Sequence, residues 1–207
     1  MRKGTLFLAA GIVSMLAAAV LAGYNLWDQH RAGTASDQVL QAMEEAVRTP
    51  ENSTNSVENT AFTPAYLLNP EMEMPVTEID GRGYIGKLSV PSLGLELPVL
   101  AEWSYPGLKI APCRYAGSAY LGNFVIAAHN YRTHFGKLQS LSPGDEILFQ
   151  DMDGNRFQYK VIGMETLSPA AVEEMKSGDW DLTLFTCTYS GQTRLTVRCE
   201  RMEASSG

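Results

Sequence analysis

Two residues in this chain have both the type and the setting for covalent chemistry. Cys187 closes the apolar, β-branched run "DLTLFTC", and His129 follows "NFVIAA". Each stands where a buried strand would emerge at a rim, so a thiol and an imidazole could meet there without help from long loops. A nucleophile beside an acid/base is what covalent acyl transfer requires. Arg194 opens the next apolar stretch, "RLTVRCER", beyond a turn at Ser190-Gly191. A hairpin there returns its guanidinium toward Cys187, where it can bind a carbonyl or a developing oxyanion.

Simpler readings stand beside this one. A free cysteine is often only a small buried hydrophobe. The chain has three, Cys113, Cys187 and Cys199, with neither a C-x-x-C pair nor zinc-type Cys/His spacing, so neither a metal site nor a disulfide framework is expected. Cys199 alternates with Leu195 and Val197 on an apolar strand face, and Cys113, between Pro112 and Arg114, reads as loop. His30 lies in a membrane-proximal stretch, and His134 in "NYRTHFGKL" has no nearby partner to position it, so both read as bystanders. Cys followed by Arg also suggests a phosphate-binding loop. However, six residues separate the two in "CTYSGQTR", no histidine precedes the cysteine, and a strand rather than a helix follows.

The elements that would hold these groups are mostly strands. "RGYIGKLSVPSLGLELPVL" is cut at Pro91 and Gly94, "DEILFQDMDGNRFQYKVIG" turns at Asp153-Gly154, and short helices are expected at "FGKLQSL" and from Ser168-Pro169 in "SPAAVEEMKSG". Many short strands separated by turns indicate a closed, mainly β barrel or sandwich.

Ahead of them, no charge occurs from Thr5 to Trp27, behind Arg2 and Lys3. That run is long enough for a membrane anchor with the N-terminus inside and the remainder exported, a cleaved signal peptide being the alternative. Residues 36–48 show helical spacing and 49–75 read as a Pro/Asn/Ser/Thr-rich linker. The expected organisation is thus an anchor over 1–27, a juxtamembrane helix and linker over 28–75, and a catalytic barrel over 76–207 that folds without them. A net charge of −7 and the lack of a basic patch argue against nucleic acid as a partner.

"TLFTC" followed by "RLTV", with "VIAAHN" and "YIGKLSVPSLGLELPV" upstream, resembles the sortases, the membrane-anchored cysteine transpeptidases of Gram-positive bacteria. The resemblance covers about residues 76–203, and the "HNYRTHFGKL" run is most similar to class B. It implies an eight-stranded sortase barrel on the outer face of the cell membrane, with Cys187 as nucleophile, His129 as acid/base and Arg194 as oxyanion or carbonyl donor. The implied substrates are an LPxTG-like sorting signal and an amine from a cell-wall precursor or a pilin lysine, with no cofactor. The Cys-to-Arg connection is shorter than the family pattern, and Thr188 stands where an acidic residue often follows the cysteine. A hydrolysing cysteine peptidase and a non-catalytic surface scaffold are the competing functions.

Overall fold

The barrel begins where alternation begins. β1 (Thr77–Ile79) and β2 (Arg82–Val90) form a hairpin, then Pro91–Leu93 make a single 3-10 turn ended by Gly94 in the left-handed region, and β3 (Leu95–Leu100) returns antiparallel along β2. The described residues are 3–48, 63–188 and 190–202 of a computed structural model. The other strands are β4 (Cys113–Ala116), β5 (Phe124–Ala127), β6 (Glu146–Asp151), β7 (Arg156–Leu167), β8 (Leu182–Cys187) and β9 (Arg194–Arg201). Their order is β1-β2-β3-β4-β5-β8-β9-β7-β6, and β6 pairs back onto β2. The eight strands β2 to β9 therefore close a ring, the expected eight-stranded barrel, with β1 appended at its edge.

Closure depends on one glycine. At Gly86, where β2 bulges between its partners β3 and β6, a Cβ would lie 2.1 Å from the Gln150 carbonyl oxygen. Only a residue without one lets the two backbones approach that closely. The β6–β7 turn at Asp153-Gly154 forms as expected: Asp151 Oδ1 accepts from the amides of Asp153 and Asn155.

Strand parity sorts the side chains into two layers. Phe124, Ile126, Leu182, Leu184, Val197 and Cys199 fill the barrel with Phe149, Phe157 and Tyr159. Val125, Ala127 and Phe185 point outward into a second apolar cluster, roofed by Leu108 at the end of α3 (Tyr105–Leu108) and Met175 of α4 (Val172–Lys176). α4 starts at Val172, later than the expected Ser168-Pro169 opening. Ser168 instead accepts from the Ala170 amide in the turn before it. The "FGKLQS" stretch is a 3-10 helix, Phe135–Ser140.

The N-terminal half departs most from expectation. α1 runs unbroken from Lys3 to Arg48, joining the anchor and the juxtamembrane helix. Leu6 to Trp27 are exposed, and the helix is long and apolar enough to cross a membrane. Its later turns pack on the barrel. Ala32, Ser36, Val39 and Met43 are buried, and the last two belong to the outer cluster. The register of that face, 32, 36, 39 and 43, is one helical stripe.

Of the expected linker, residues 49–62 lie outside the described residues, but Tyr66, Met72 and Met74 of the remainder pack against the barrel core. Tyr66 of α2 (Ala65–Leu68) stacks on Tyr120 at 4.7 Å, and Met74 is buried in the barrel core. Cys113 is likewise not in a loop: it is the first residue of β4 and fully buried.

Candidate active site

β5 and β8 run parallel, with Phe124 beside Leu182 and Ala127 beside Phe185. Two further bonds carry that register past the end of β5: the Ala128 amide donates to the Phe185 carbonyl at 3.2 Å, and Thr186 Oγ1 donates to the Ala128 carbonyl at 2.8 Å. His129 follows Ala128, just beyond this end of β5 and on the side of β8 away from β9. On the other side of β8, Cys187 is the register partner of Arg194 on β9. Parity places Cys187 and Arg194 on the outer face with Phe185. Cys187 and Arg194 are thus paired across β8 and β9, His129 lies just past the end of the neighbouring β5, and all three line one cavity of about 270 Å³.

The two layers explain why the site lies outside the barrel. The barrel interior is filled by aromatic and aliphatic side chains, whereas the outer face of β5 and β8 is a groove. One wall is aromatic: Tyr115 meets Phe185 edge-on at 5.1 Å, and Trp103 meets Tyr105 at 4.9 Å. The opposite wall is the 168–175 segment, contributing Pro169, Val172 and Met175. None of these wall residues was singled out from sequence. Trp103, Tyr105 and Tyr115 lie far from Cys187 in the chain, and only closure of the barrel brings them beside Phe185.

Cys187 is partly exposed, as a nucleophile must be, while Cys113 and Cys199 are fully buried and all three are free thiols. Burial pushes the Cys113 thiol up to about 11 and that of Cys199 to about 12. Burial also lowers the His129 imidazole below its ordinary value, assisted by Lys109 and opposed by Asp28. The Arg194 guanidinium donates Nη1 to the carbonyls of Gly191 and Thr193 in the β8–β9 hairpin. A guanidinium has five donors, so these contacts leave capacity for a substrate oxygen.

Arg198, on the same face of β9, commits four of its five donors elsewhere. It bonds Glu165, Thr183 Oγ1 and the carbonyls of Glu174 and Met175, which ties α4 to the barrel. His134 is fully buried away from that cavity, with Nε2 at 3.3 Å from Ser36 Oγ of α1. No group of three or more His, Cys, Asp or Glu suited to a metal ion occurs among the described residues.

Residues 88–202, more than half of the chain, match the family model described as the sortase domain. The chain is 26% identical over 195 residues to sortase A of Bacillus anthracis, covering 90% of this chain and 89% of that one. Among solved structures it is similar to sortase C from Clostridium perfringens, with a TM-score of 0.50 and 24% identity over 90% of this chain and 99% of that chain. It is also similar to a Clostridium perfringens sortase D5 transpeptidase, with a TM-score of 0.51 and 23% identity over 57% of this chain and 79% of that chain.

Proposed function

Because the chain belongs to the sortase family, whose activity is transpeptidation, we propose that it is a cysteine transpeptidase acting through Cys187, His129 and Arg194. The observation that carries this reading is that the partly exposed Cys187 thiol, its register partner Arg194 on β9 and His129, just beyond the end of β5, line one groove.

Neutral His129 accepts the thiol proton as Cys187 Sγ adds to the carbonyl of an LPxTG-like sorting signal. Arg194 bonds the oxyanion that forms. Collapse breaks the C–N bond, the departing amine takes the proton from the imidazolium, and a thioester remains on Cys187. An incoming amine gives its proton to the imidazole, attacks the thioester carbonyl and expels the sulfur, which is then reprotonated. The acceptor amine belongs to a cell-wall precursor or a pilin lysine, and no cofactor takes part. The groove's aromatic wall suits an extended peptide. α1 supports placing the enzyme in the cell membrane, with residues 1–27 as cytoplasmic tip and anchor and the barrel on the extracellular face.

Incubating the full-length protein with a library of sorting-motif peptides and an amine, and reading products by mass, tests the proposal. Amide-joined product and a thioacyl adduct on Cys187 are expected. Hydrolysed peptide alone, with no incorporated amine, would make the protein a peptidase, and cleavage by Cys187→Ala would remove the thiol from the mechanism.

A further inference from the structure

The loop that follows His129 is bonded to α1 along its whole length. Tyr131 Oη donates to Asp28 Oδ2 at 2.5 Å, the Arg132 amide donates to Gln29 Oε1 at 3.4 Å, and Thr133 Oγ1 donates to the Gln29 carbonyl at 3.2 Å. Thr133 also fills the space that a side chain at Gly33 would need: a Cβ there would lie 2.9 Å from Thr133 Cγ2. The loop closes on itself through the Tyr131 carbonyl, which accepts from the amides of His134 and Gly136, and through the His129 carbonyl, which accepts from Phe135. Within it the Tyr131 ring lies against the His129 ring, centroids 5.0 Å apart at 40°.

We propose that Asp28, at the point where α1 leaves its uncharged run, is a positioning residue for His129, acting through the hydroxyl and ring of Tyr131. The inference rests on His129 being the acid/base of the proposed reaction. Asp28 is itself held, because its other oxygen accepts from Arg31 at 2.9 Å. The carboxylate fixes the Tyr131 hydroxyl, and the Tyr131 ring in turn limits the orientations open to the imidazole. The helix that anchors the chain is therefore part of the active site. The charged and titratable groups around His129 are Asp28 and Arg31 on α1, Lys109 beyond α3, Tyr131 and His134 on its own loop, and Cys187 and Arg194 on β8 and β9.

The test uses full-length protein in lipid nanodiscs and the variants Tyr131→Phe, Asp28→Ala and Asp28→Asn. Two readouts are taken: steady-state transpeptidation, and the pH profile of Cys187 alkylation by iodoacetamide, which needs no peptide substrate. Tyr131→Phe and Asp28→Ala are expected to lower kcat roughly 10- to 100-fold, the scale of a misplaced catalytic group, with KM within about twofold and unchanged melting. Asp28→Asn keeps an acceptor for the hydroxyl and is expected to restore most of kcat. It also removes the charge that supports the imidazolium, so the imidazole step in the alkylation profile is expected at lower pH. If Tyr131→Phe and Asp28→Ala match the parent in kcat and in alkylation profile, or raise KM alone, the positioning role is overturned while the proposed reaction stands. If the parent's alkylation profile lacks an imidazole step that His129→Ala would abolish, the pairing of His129 with Cys187 fails, and the positioning role fails with it.

Discussion

Arg198 donates Nη1 to Thr183 Oγ1 at 2.9 Å, across the register pair that joins β9 to β8. That contact separates the two arginines on this face. Arg198 is buried and held by α4 and Glu165, while Arg194, level with Cys187, spends one nitrogen on hairpin carbonyls. Arg194→Ala is expected to lower kcat by about two to three orders of magnitude, the scale for losing an oxyanion donor. Lysine at 194 should rescue poorly, because a point charge lacks the guanidinium fork. Arg198→Ala should instead lose roughly 2–4 kcal/mol of stability through its broken charged hydrogen bonds. Kinetics and denaturant melts of the two alanine variants decide: a folded but inactive Arg198→Ala beside a normal Arg194→Ala reverses the roles.

Thiol reactivity should follow exposure. Cys187 alone is partly open, and burial holds the thiols of Cys113 and Cys199 up at about 11 and about 12. Iodoacetamide at neutral pH is expected to label Cys187 first, with loss of activity in step, since thiolate character and access govern the rate. Peptide mapping of the labelled protein checks this, and inactivation that tracked Cys113 would count against it.

His134 should make the protein acid-sensitive. Burial first, and then the neighbouring His129, lower it from 6.5 to about 4. Between those values the unfolded chain binds a proton that the folded chain does not, so stability falls as pH drops from 6.5 toward 4, by on the order of 3 kcal/mol. Lowering of His129 acts in the same direction. Melts at pH 7, 6, 5 and 4.5 should show a shallower acid slope for His134→Gln than for the parent, and equal slopes would contradict the assignment.

The docked stripe of α1 should be needed by the barrel. Val39 and Met43 are 7% and 6% exposed, and burying each contributes about 1.5–3 kcal/mol as an upper estimate. Val39→Asp with Met43→Asp, or removal of residues 1–48, is expected to lower the melting temperature and expose the face formed by Tyr84, Leu100 and Ala111. Gly33→Leu should act in the same direction, by pushing α1 off Thr133. A variant lacking residues 1–48 that melts like the parent would restore the barrel's independence.

What could be read from the sequence was whatever is local. The Asp153-Gly154 turn needs only its neighbours, and Cys187 and His129 announce themselves as reactive side chains ending apolar runs. Parity alone put Cys199 inside and Arg194 and Arg198 on one face. The docking of α1 was hidden, because a helical stripe looks the same whether it meets solvent, lipid or protein. Its partners at 131–134 lie about a hundred positions away: Asp28 to Tyr131 spans 103 residues and Ser36 to His134 spans 98. Cys113 looked like loop because a four-residue strand between a proline and a bulge has too few positions to alternate. Tyr66 and Met74 sat in text whose composition resembles a tether, and they are held by aromatic and core contacts that composition does not encode.

The unbroken α1 also changes how the enzyme searches. A domain on a flexible tether sweeps a hemisphere above the bilayer, and its reach grows with the length of the tether. A helix of 46 residues is about 69 Å long and stiff, and the barrel is clamped to its flank within one turn of Trp27, through Asp28. With α1 spanning a bilayer, as proposed, the groove keeps to the neighbourhood of the membrane surface, and encounter with a substrate confined to the same plane is favoured over encounter with one free in the surrounding fluid.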